Sequence, residues 1–308
     1  MKIKFLLALG CIVLGMNSSK ASSVVTDSTA SGHNAAVRVM SFNIRFINPN
    51  DSLDTSWDSR RESCARVIRF FAPDVVGMQE PREVQKDYFS EMLPEYSRHS
   101  INVSDSITEK QTGHGVIYYR NDKYTLLDSG YFWLSETPDV PSAPWNSTDR
   151  HYRVAVWVHL LDNETNTDFY TATTHFPYKK DPVDTEVRAK CAALIVEKMK
   201  EKAGEDATVF VTGDMNASPK IEDPEAPGTR SLAPFYEWML AARNTAILTD
   251  DNNSFNGFGR VIPGMKGKIL DHIFYRNARP IVFETLDRPD FGLRWNSDHF
   301  PIMATFTY

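Results

Sequence analysis

Polar and ionisable residues interrupt or end several segments that otherwise consist of apolar and β-branched residues. Such segments are typical of buried strands, in which Asn and Asp are depleted. Burying a carboxylate without a partner costs several kcal/mol, so these groups are expected to pair with one another or with a cation. The residues in question are Asn43, Glu80, His175, Asp214, Asn216, Asp271, Asp298 and His299.

Each of these residues has an ordinary structural explanation when taken alone. Glu80 could be a solvated charge before Pro81, Asn43 could mark a β-bulge, and Asp271 could cap a turn. A single histidine is more often structural than catalytic. The recurrence at strand ends is what indicates chemistry, because carboxylates, amides and imidazoles together can bind a hard divalent cation and activate water.

Short strands separated by a few helices must position these residues. Strands are predicted at 37–46, 74–78, 114–120, 124–134, 152–161, 168–176, 208–212, 268–275, 280–286 and 300–306. Helices are predicted at 57–72, 83–92, 182–203 and 234–241, and loops at 138–150 and 218–230. Many strands with interspersed helices favour packed sheets with helices outside. No change of composition marks a linker, so we expect one domain.

The composition supports a large core and excludes several classes of protein. Of 308 residues, 42% are hydrophobic and 12% aromatic, which excludes disordered, collagen-like and coiled-coil chains. The formal net charge is −6. An acidic surface gives no electrostatic attraction for duplex DNA or anionic membranes.

The first residues are typical of a secretory signal peptide. Lys2 and Lys4 precede an apolar run over 5–16, and Ser19-Lys20-Ala21 resembles a cleavage site. We therefore predict a signal peptide at 1–21, a flexible leader at 22–36 and a folded domain at 37–308. The run is too short to span a bilayer, which takes about 20 apolar residues.

The expected location is periplasmic or extracellular, without stable insertion into a membrane. A lipoprotein anchored through Cys11 is disfavoured because Cys11 lies inside the apolar run. Cys64 and Cys191 would remain after cleavage and could form one disulfide in an oxidising compartment.

Seven short motifs follow one another in an order that resembles the endonuclease/exonuclease/phosphatase superfamily of metal-dependent phosphoesterases. The motifs are MSFNIR (40–45), MQE (78–80), Arg153 with Trp157, TTHF (173–176), GDMN (213–216), LDHIF (270–274) and SDHFP (297–301). The segment FWLSETP (132–138) resembles a bacterial, exported branch of that family. The resemblance implies an α/β four-layer sandwich, in which two packed, mainly antiparallel β-sheets are flanked by helices.

The resemblance also implies a metal and a base. Glu80 would be the principal ligand of Mg²⁺ or Mn²⁺, with Asn43 beside it, and Asp298 would be a second metal or water ligand. His299 would take the proton of the attacking water, and Asp271 would hold its ring through a hydrogen bond.

Four further residues would act on the phosphoryl group by the same resemblance. Asp214 and Asn216 would position the nucleophile and a phosphate oxygen. His175 and Arg153 would donate hydrogen bonds to the phosphoryl oxygens.

Two departures from the family pattern affect the substrate side. The stretch 112–115 holds no acid to partner His175, and His175 is followed by Phe-Pro-Tyr178. We therefore expect His114 or Tyr178 to contact substrate. Trp145 in the 138–150 loop could stack on a base or a sugar, or could instead anchor that loop. His272 should point to the opposite sheet face from Asp271 and is interpreted as structural.

The expected partner is a phosphate ester, either a monoester or a diester. A small molecule, a lipid head group and a nucleic acid all stay open, and the acidic charge favours a small substrate slightly. We expect a monomer. A catalytically silent binding protein should lack Glu80, His299 or Asp271, and all three are present. A glycoside hydrolase would leave the two motif histidines unexplained.

Overall fold

The fold was determined as a computed structural model that describes residues 35–101, 115–219, 228–261, 265, 268–288 and 291–308. The strands are β1 (Ala36–Asn43), β2 (Val75–Gln79), β3 (Tyr96–Ser100), β4 (Val116–Arg120), β5 (Tyr124–Trp133), β6 (Val154–Asp162), β7 (Asp168–His175), β8 (Thr208–Asp214), β9 (Leu240–Ala241), β10 (Asp271–Arg276), β11 (Arg279–Thr285) and β12 (Ile302–Thr307). The helices are α1 (Trp57–Phe71), α2 (Glu83–Met92), α3 (Pro182–Ala203), α4 (Gly228–Tyr236) and α5 (Ala242–Thr245), and a short 3-10 helix spans Leu53–Thr55.

The strands form two six-stranded sheets. The first has the order β11-β12-β1-β2-β4-β3 and the second the order β5-β6-β7-β8-β10-β9. Each sheet contains one parallel pair, β1 with β2 and β7 with β8, among otherwise antiparallel neighbours. The expectation of two packed, mainly antiparallel sheets flanked by helices is confirmed.

Three hydrophobic cores separate the four layers. One lies between α1 and the outer face of the first sheet and includes Met40 and Ile68. The middle core lies between the sheets and includes Val39 and Ile273. The third lies between the second sheet and α3 and includes Ile195.

The two-residue period of the strands decides which polar residues enter the space between the sheets. In β1, Val37 and Val39 belong to the middle core, whereas Met40 and Phe42 belong to the core under α1. Asn43 continues the inner face, because side chains alternate along a strand. The same alternation in β10 turns Asp271 inward, where Ile273 lies in the middle core.

Several predicted boundaries differ from the structure. β1 ends at Asn43 rather than at 46, since Arg45 adopts a left-handed backbone with φ 59°. β3 was missed because only Tyr96 is buried in its sequence YSRHS. The helix predicted at 234–241 is instead α4, with Pro234 inside it. Burial of Leu232 and Phe235 outweighs the low helix propensity of proline there.

The two cysteines do not pair. Cys64 and Cys191 are both buried free thiols, one under α1 and the other under α3, in separate cores. The disulfide that the sequence left open is therefore not formed.

The predicted signal peptide, residues 22–34 of the leader and His114 lie outside the described residues. Export stays a prediction. Within the described part of the chain, no helix is long and apolar enough to cross a bilayer.

The sheets approach each other closely at Gly77 of β2. A Cβ added there would lie 2.1 Å from Thr212 Oγ1 and 2.6 Å from Thr173 Oγ1, both on the facing sheet. Gln79 crosses the same gap, where its Nε2 donates to Thr173 Oγ1 at 2.9 Å and to Ser41 Oγ at 3.3 Å. Glycine is therefore required at 77 so that the ends of both parallel pairs can meet.

We predict that Gly77→Ala lowers the free energy of unfolding by about 1–3 kcal/mol, because overpacking forces backbones apart. Urea denaturation measures the change. Gly130→Ala is the matched control, since its new Cβ would meet the Trp157 ring at 3.0 Å and not an opposing sheet. Equal stability of the Gly77→Ala variant and the native protein would contradict the close approach.

Candidate active site

The carboxyl ends of the two parallel strand pairs meet at one end of the middle core. Asn43 ends β1, and Glu80 follows β2 directly. In the second sheet, His175 ends β7 and Asp214 ends β8, where the two residues lie side by side in the parallel register. Residues predicted to act together are thus brought together by topology, although 171 positions separate Asn43 from Asp214.

The side-chain amide of Asn43 joins two of the carboxylates. Its Nδ2 donates to Glu80 Oε1 at 3.1 Å and to Asp214 Oδ2 at 3.0 Å. Its Oδ1 accepts from the backbone N–H of Arg45 at 3.0 Å. The amide oxygen accepts one hydrogen bond from the main chain and keeps a second lone pair, so Asn43 bridges the two carboxylates and its role as a metal ligand stays a prediction.

His299 and Asp271 form a buried pair. His299 Nδ1 lies 2.8 Å from Asp271 Oδ2, and His299 Nε2 lies 3.5 Å from Asp214 Oδ2. The backbone on both sides is fixed by serines, because Asp271 N–H donates to Ser254 Oγ at 3.0 Å and His299 N–H to Ser297 Oγ at 3.3 Å. Nδ1–H points to the carboxylate, which leaves the Nε2 side of the ring for chemistry.

His175 is held by Asn216. Asn216 Nδ2 lies 3.0 Å from His175 Nε2 and also donates to the Phe176 carbonyl at 3.0 Å. Since the amide nitrogen is a donor, His175 Nε2 accepts, and its proton resides on Nδ1. That buried Nδ1 has no hydrogen-bond partner among the described residues and lies 4.0 Å from Glu80 Oε1.

Three residues at the site have left-handed backbones. The φ angles are 59° at Arg45, 72° at Glu80 and 46° at Asn216. Such angles are uncommon outside glycine and persist where surrounding contacts fix them. Here the contacts are visible: Phe46 N–H donates to Glu80 Oε2 at 3.0 Å, and Asn216 N–H donates to Asp214 Oδ1 at 2.9 Å.

The pKa values of His299 and His175 are shifted in opposite directions. Burial acts to lower the pKa of His299, but the carboxylates of Asp271 and Asp214 outweigh it and raise that pKa to about 10. Burial, together with the positive charges of Arg153, His299 and His151, lowers the pKa of His175 well below its ordinary value. Burial also raises the pKa of Asp214, with Asp271 adding to the effect.

The chemistry of the donors fits a hard divalent cation. The buried Asp214 and the partly exposed Glu80 present carboxylate oxygens to the same amide proton donor, Asn43 Nδ2. A cation among them would favour the charged form of Asp214, which burial and the neighbouring Asp271 disfavour. Asp214, Asp271 and His299 also lie close enough to share an ion. Asp271 and His299 are already hydrogen-bonded to each other, which leaves Asp214 and Glu80 as the freer carboxylates.

Two predicted site residues have other partners. Asp298 Oδ2 lies 3.5 Å from Arg45 Nη1, and Asp298 Oδ1 accepts from Ser297 Oγ at 3.3 Å. Arg153 continues the face of β6 that carries Ala155 and Trp157 toward α3, and its Nη2 donates to Asp149 at 2.6 Å. The structure thus pairs Asp298 with Arg45 and Arg153 with Asp149, and the predicted roles of Asp298 and Arg153 toward a metal and a phosphoryl group stay predictions.

The two substrate-side aromatic residues differ in position. Trp145 packs against the core under α3, with Lys190 Nζ 5.6 Å from its ring, so the loop-anchoring alternative is the one that its contacts support. Tyr178 is about half exposed beside His151, with ring centroids 6.2 Å apart. His272 is structural as expected, since its Nε2 contacts the Ala217 carbonyl at 2.8 Å on the outer face.

Sequence reasoning missed Arg45, Asp149 and Ser254. Arg45 belongs to the MSFNIR motif, but the pairing with Asp51 and Asp298 depends on its left-handed backbone. Asp149 lies four residues before Arg153, and this acid–base spacing was the one available signal. Ser254 lies in a segment without strand character and gave none.

The fold and this site define an α/β sandwich that gathers carboxylates and histidines at one end of paired sheets. A family model described as the endonuclease/exonuclease/phosphatase family matches residues 40–299. The chain belongs to that family.

Three similar proteins align with this chain over nearly their full length. An endonuclease/exonuclease/phosphatase from Bacteroides vulgatus is 31% identical, with a TM-score of 0.76, over 89% of this chain and 99% of that one. The mannosyl-6-phosphatase of Bacteroides thetaiotaomicron is 26% identical, with a TM-score of 0.74, over 88% and 100%. An uncharacterised protein of Acanthamoeba polyphaga mimivirus is 24% identical over 81% of this chain and 92% of its own length.

We predict that His299 stays doubly protonated through neutral pH in the metal-free protein, with a pKa about 10. Because this folded-state pKa exceeds the ordinary 6.5, the pair's contribution to stability is complete below pH 6.5 and is lost as pH rises through about 10. NMR titration of ¹⁵N-labelled imidazoles measures it, and Asp271→Asn should lower the value.

His272 is the internal control for that titration. Burial lowers the pKa of His272 to about 4, so its ring should be neutral across the same range. Titration of His299 near 6.5 in the metal-free protein would contradict the charged pair.

Proposed function

We propose that the protein is a metal-dependent hydrolase of phosphate esters. The observation that carries the proposal is the buried His299–Asp271 pair beside Asp214, with Glu80 reaching the same place from the other sheet. Family membership supports the reaction class, since the family model covers these motifs from residue 40 to 299.

His299 would remove a proton from the attacking water. Asp271 holds Nδ1–H at 2.8 Å, so the lone pair of Nε2 is fixed toward the site when the ring is neutral. Asp214 Oδ2, 3.5 Å from that Nε2, lies where it can accept the second hydrogen bond of the same water. The new P–O bond would form as the proton moves to Nε2, while the bond from phosphorus to the leaving oxygen breaks and its electron pair stays on that oxygen.

Glu80 and Asp214 would hold Mg²⁺ or Mn²⁺, because both offer carboxylate oxygens, which these hard cations prefer. The bound ion would neutralise charge on the phosphoryl oxygens. Asn43 Nδ2 holds one oxygen of each carboxylate by a hydrogen bond. The other oxygen accepts from Phe46 N–H in Glu80 and from Asn216 N–H in Asp214.

His175 would stabilise the phosphoryl group as a neutral donor. Its Nδ1–H is buried and without a partner among the described residues, while Asn216 fixes the ring through Nε2. The low pKa of His175 keeps the ring neutral, so the donor is retained without adding a charge that would compete for the carboxylates. Removing one such preorganised donor costs about 10²–10³ in rate.

A small phosphomonoester, such as a sugar phosphate, is the substrate class that we propose first. One similar protein, 26% identical over its whole length, is a mannosyl-6-phosphatase. The acidic net charge of −6 also disfavours attraction of a long polyanion. Mannose 6-phosphate, p-nitrophenyl phosphate, bis-p-nitrophenyl phosphate and single-stranded DNA are the panel that tests this ranking.

We predict that chelation with EDTA abolishes hydrolysis and that Mg²⁺ or Mn²⁺ restores it. Glu80→Gln should weaken metal binding, measured by calorimetry on the folded protein as well as by activity. The matched control is Glu91→Gln on the exposed face of α2. Full turnover by the metal-free protein would overturn the metal dependence.

We predict that His299→Ala and Asp271→Asn each lower turnover by about 10²–10⁴, the usual range for general-base assistance. Because the two side chains act as one unit, the double variant should be little slower than His299→Ala alone. Circular dichroism would verify folding. Losses that multiply in the double variant would show that the pair does not act together.

A further inference from the structure

A second carboxylate–imidazole pair lies at the edge of the site. Asp149 Oδ1 is 2.5 Å from His151 Nδ1, and Asp149 Oδ2 accepts from Arg153 Nη2 at 2.6 Å. The Asp149 side chain is fully buried, whereas the His151 side chain is 46% exposed. As in the pair of His299 and Asp271, the Nδ1 atom of a histidine contacts an aspartate oxygen. The two pairs differ in exposure, because His299 is buried and His151 is not.

The carboxylate is fixed in its charged form. Burial acts to raise the pKa of Asp149, but His151 and Arg153 outweigh it and lower that pKa. With both oxygens engaged as acceptors, His151 must present Nδ1–H to Asp149. Nε2 is therefore the atom that the ring offers to a molecule in the cleft.

The loop that carries this pair is anchored to the start of α3. Ser147 Oγ lies 2.5 Å from Asp184 Oδ1, and Thr148 Oγ1 lies 2.6 Å from Asp181 Oδ2. Asp149 N–H also donates to Ser147 Oγ at 3.1 Å. These contacts hold the pair in place on a rigid helix terminus, which suits a group that must meet a substrate.

His151 lies on the His175 side of the site. The start of β6 lies beside the end of β7, with Ala155 opposite Thr174, so His151 lies at the same end of the sheet as His175. Tyr178, three residues after His175, is its ring neighbour at 6.2 Å. Both inner histidines reach one oxygen of Asp214, since His175 Nε2 and His299 Nε2 each lie 3.5 Å from Asp214 Oδ2.

We propose that His151 donates the proton that the leaving alcohol needs, with Asp149 as its positioning residue. This inference rests on the proposed phosphoesterase function. In an in-line displacement, the attacking and leaving oxygens lie on opposite sides of phosphorus. The water forms the new P–O bond and gives a proton to His299. The old P–O bond breaks, its electron pair stays on the leaving oxygen, and that oxygen takes the proton of His151 Nε2.

The test is the dependence of the rate on the leaving group. An alkyl phosphate releases a basic alkoxide that needs a proton, whereas p-nitrophenyl phosphate releases a stable phenolate that does not. His151→Gln should slow the alkyl ester by about 10²-fold or more, in the range of general-acid assistance, and change the aryl ester little. Asp149→Asn should move the ratio of the two rates in the same direction.

The chain offers a matched control. His159 Nε2 lies 2.5 Å from Asp168 Oδ2 on the same β6–β7 hairpin, at the end away from His175. His159→Gln should leave both rates unchanged. Equal losses on the alkyl and aryl esters in His151→Gln, or no loss, would overturn the assignment of His151. If the native protein with Mg²⁺ hydrolysed neither ester and no other phosphate ester, the proposed function itself would be overturned.

Discussion

One amide group, Nδ2 of Asn43, joins the two sheets at the point where the chemistry is proposed. It donates to Glu80 Oε1 in its own sheet and to Asp214 Oδ2 in the facing sheet. Buried carboxylates repel one another and lose hydration, so they can share this space only with a donor or a cation between them. The close approach at Gly77 makes the bridge short enough, and Glu80, His175 and Asp214 take their positions from the two strand pairs that it connects.

The pKa values of the two histidines at the site are shifted in opposite directions. Asp271 and Asp214 raise the pKa of His299, so a divalent cation that neutralises part of this charge would also lower that pKa toward the range in which the ring can accept a proton. His175 is buried beside positive groups and stays neutral. One pocket thus holds a potential base and a neutral donor, separated by Asp214.

The 138–150 loop and the residue after it contribute a second carboxylate–imidazole pair, that of Asp149 and His151. The ring of Trp145 lies 5.6 Å from Lys190 Nζ, while the buried Asp149 orients the exposed ring of His151. Loops vary more among related proteins than the strands that they connect, and differences in substrate often arise from them. A positioned imidazole outside the inner cluster is a way for the chain to act on the leaving part of an ester.

The sequence by itself determined the fold class, the family and most of the inner cluster. Alternation along β1, β8 and β10 already turned Asn43, Asp214 and Asp271 away from the helix-side cores, because side-chain direction in a strand follows from parity alone. Parity also placed His272 on the outer face. Arg153 has the same outward parity, so its predicted contact with a phosphoryl group comes from the family motif and not from strand alternation.

Only the tertiary structure decided the partners. Whether Asn43 offers its oxygen or its nitrogen depends on the backbone of Arg45, and Asp298 turns to Arg45 because of the same left-handed residue. The separation of Cys64 from Cys191, and the pairing of Asp149 with His151 and Arg153, arise from the layers into which the chain folds. Hydrophobic periodicity specifies the face of a strand, whereas the partner of a polar group depends on distances between segments that are remote in the chain.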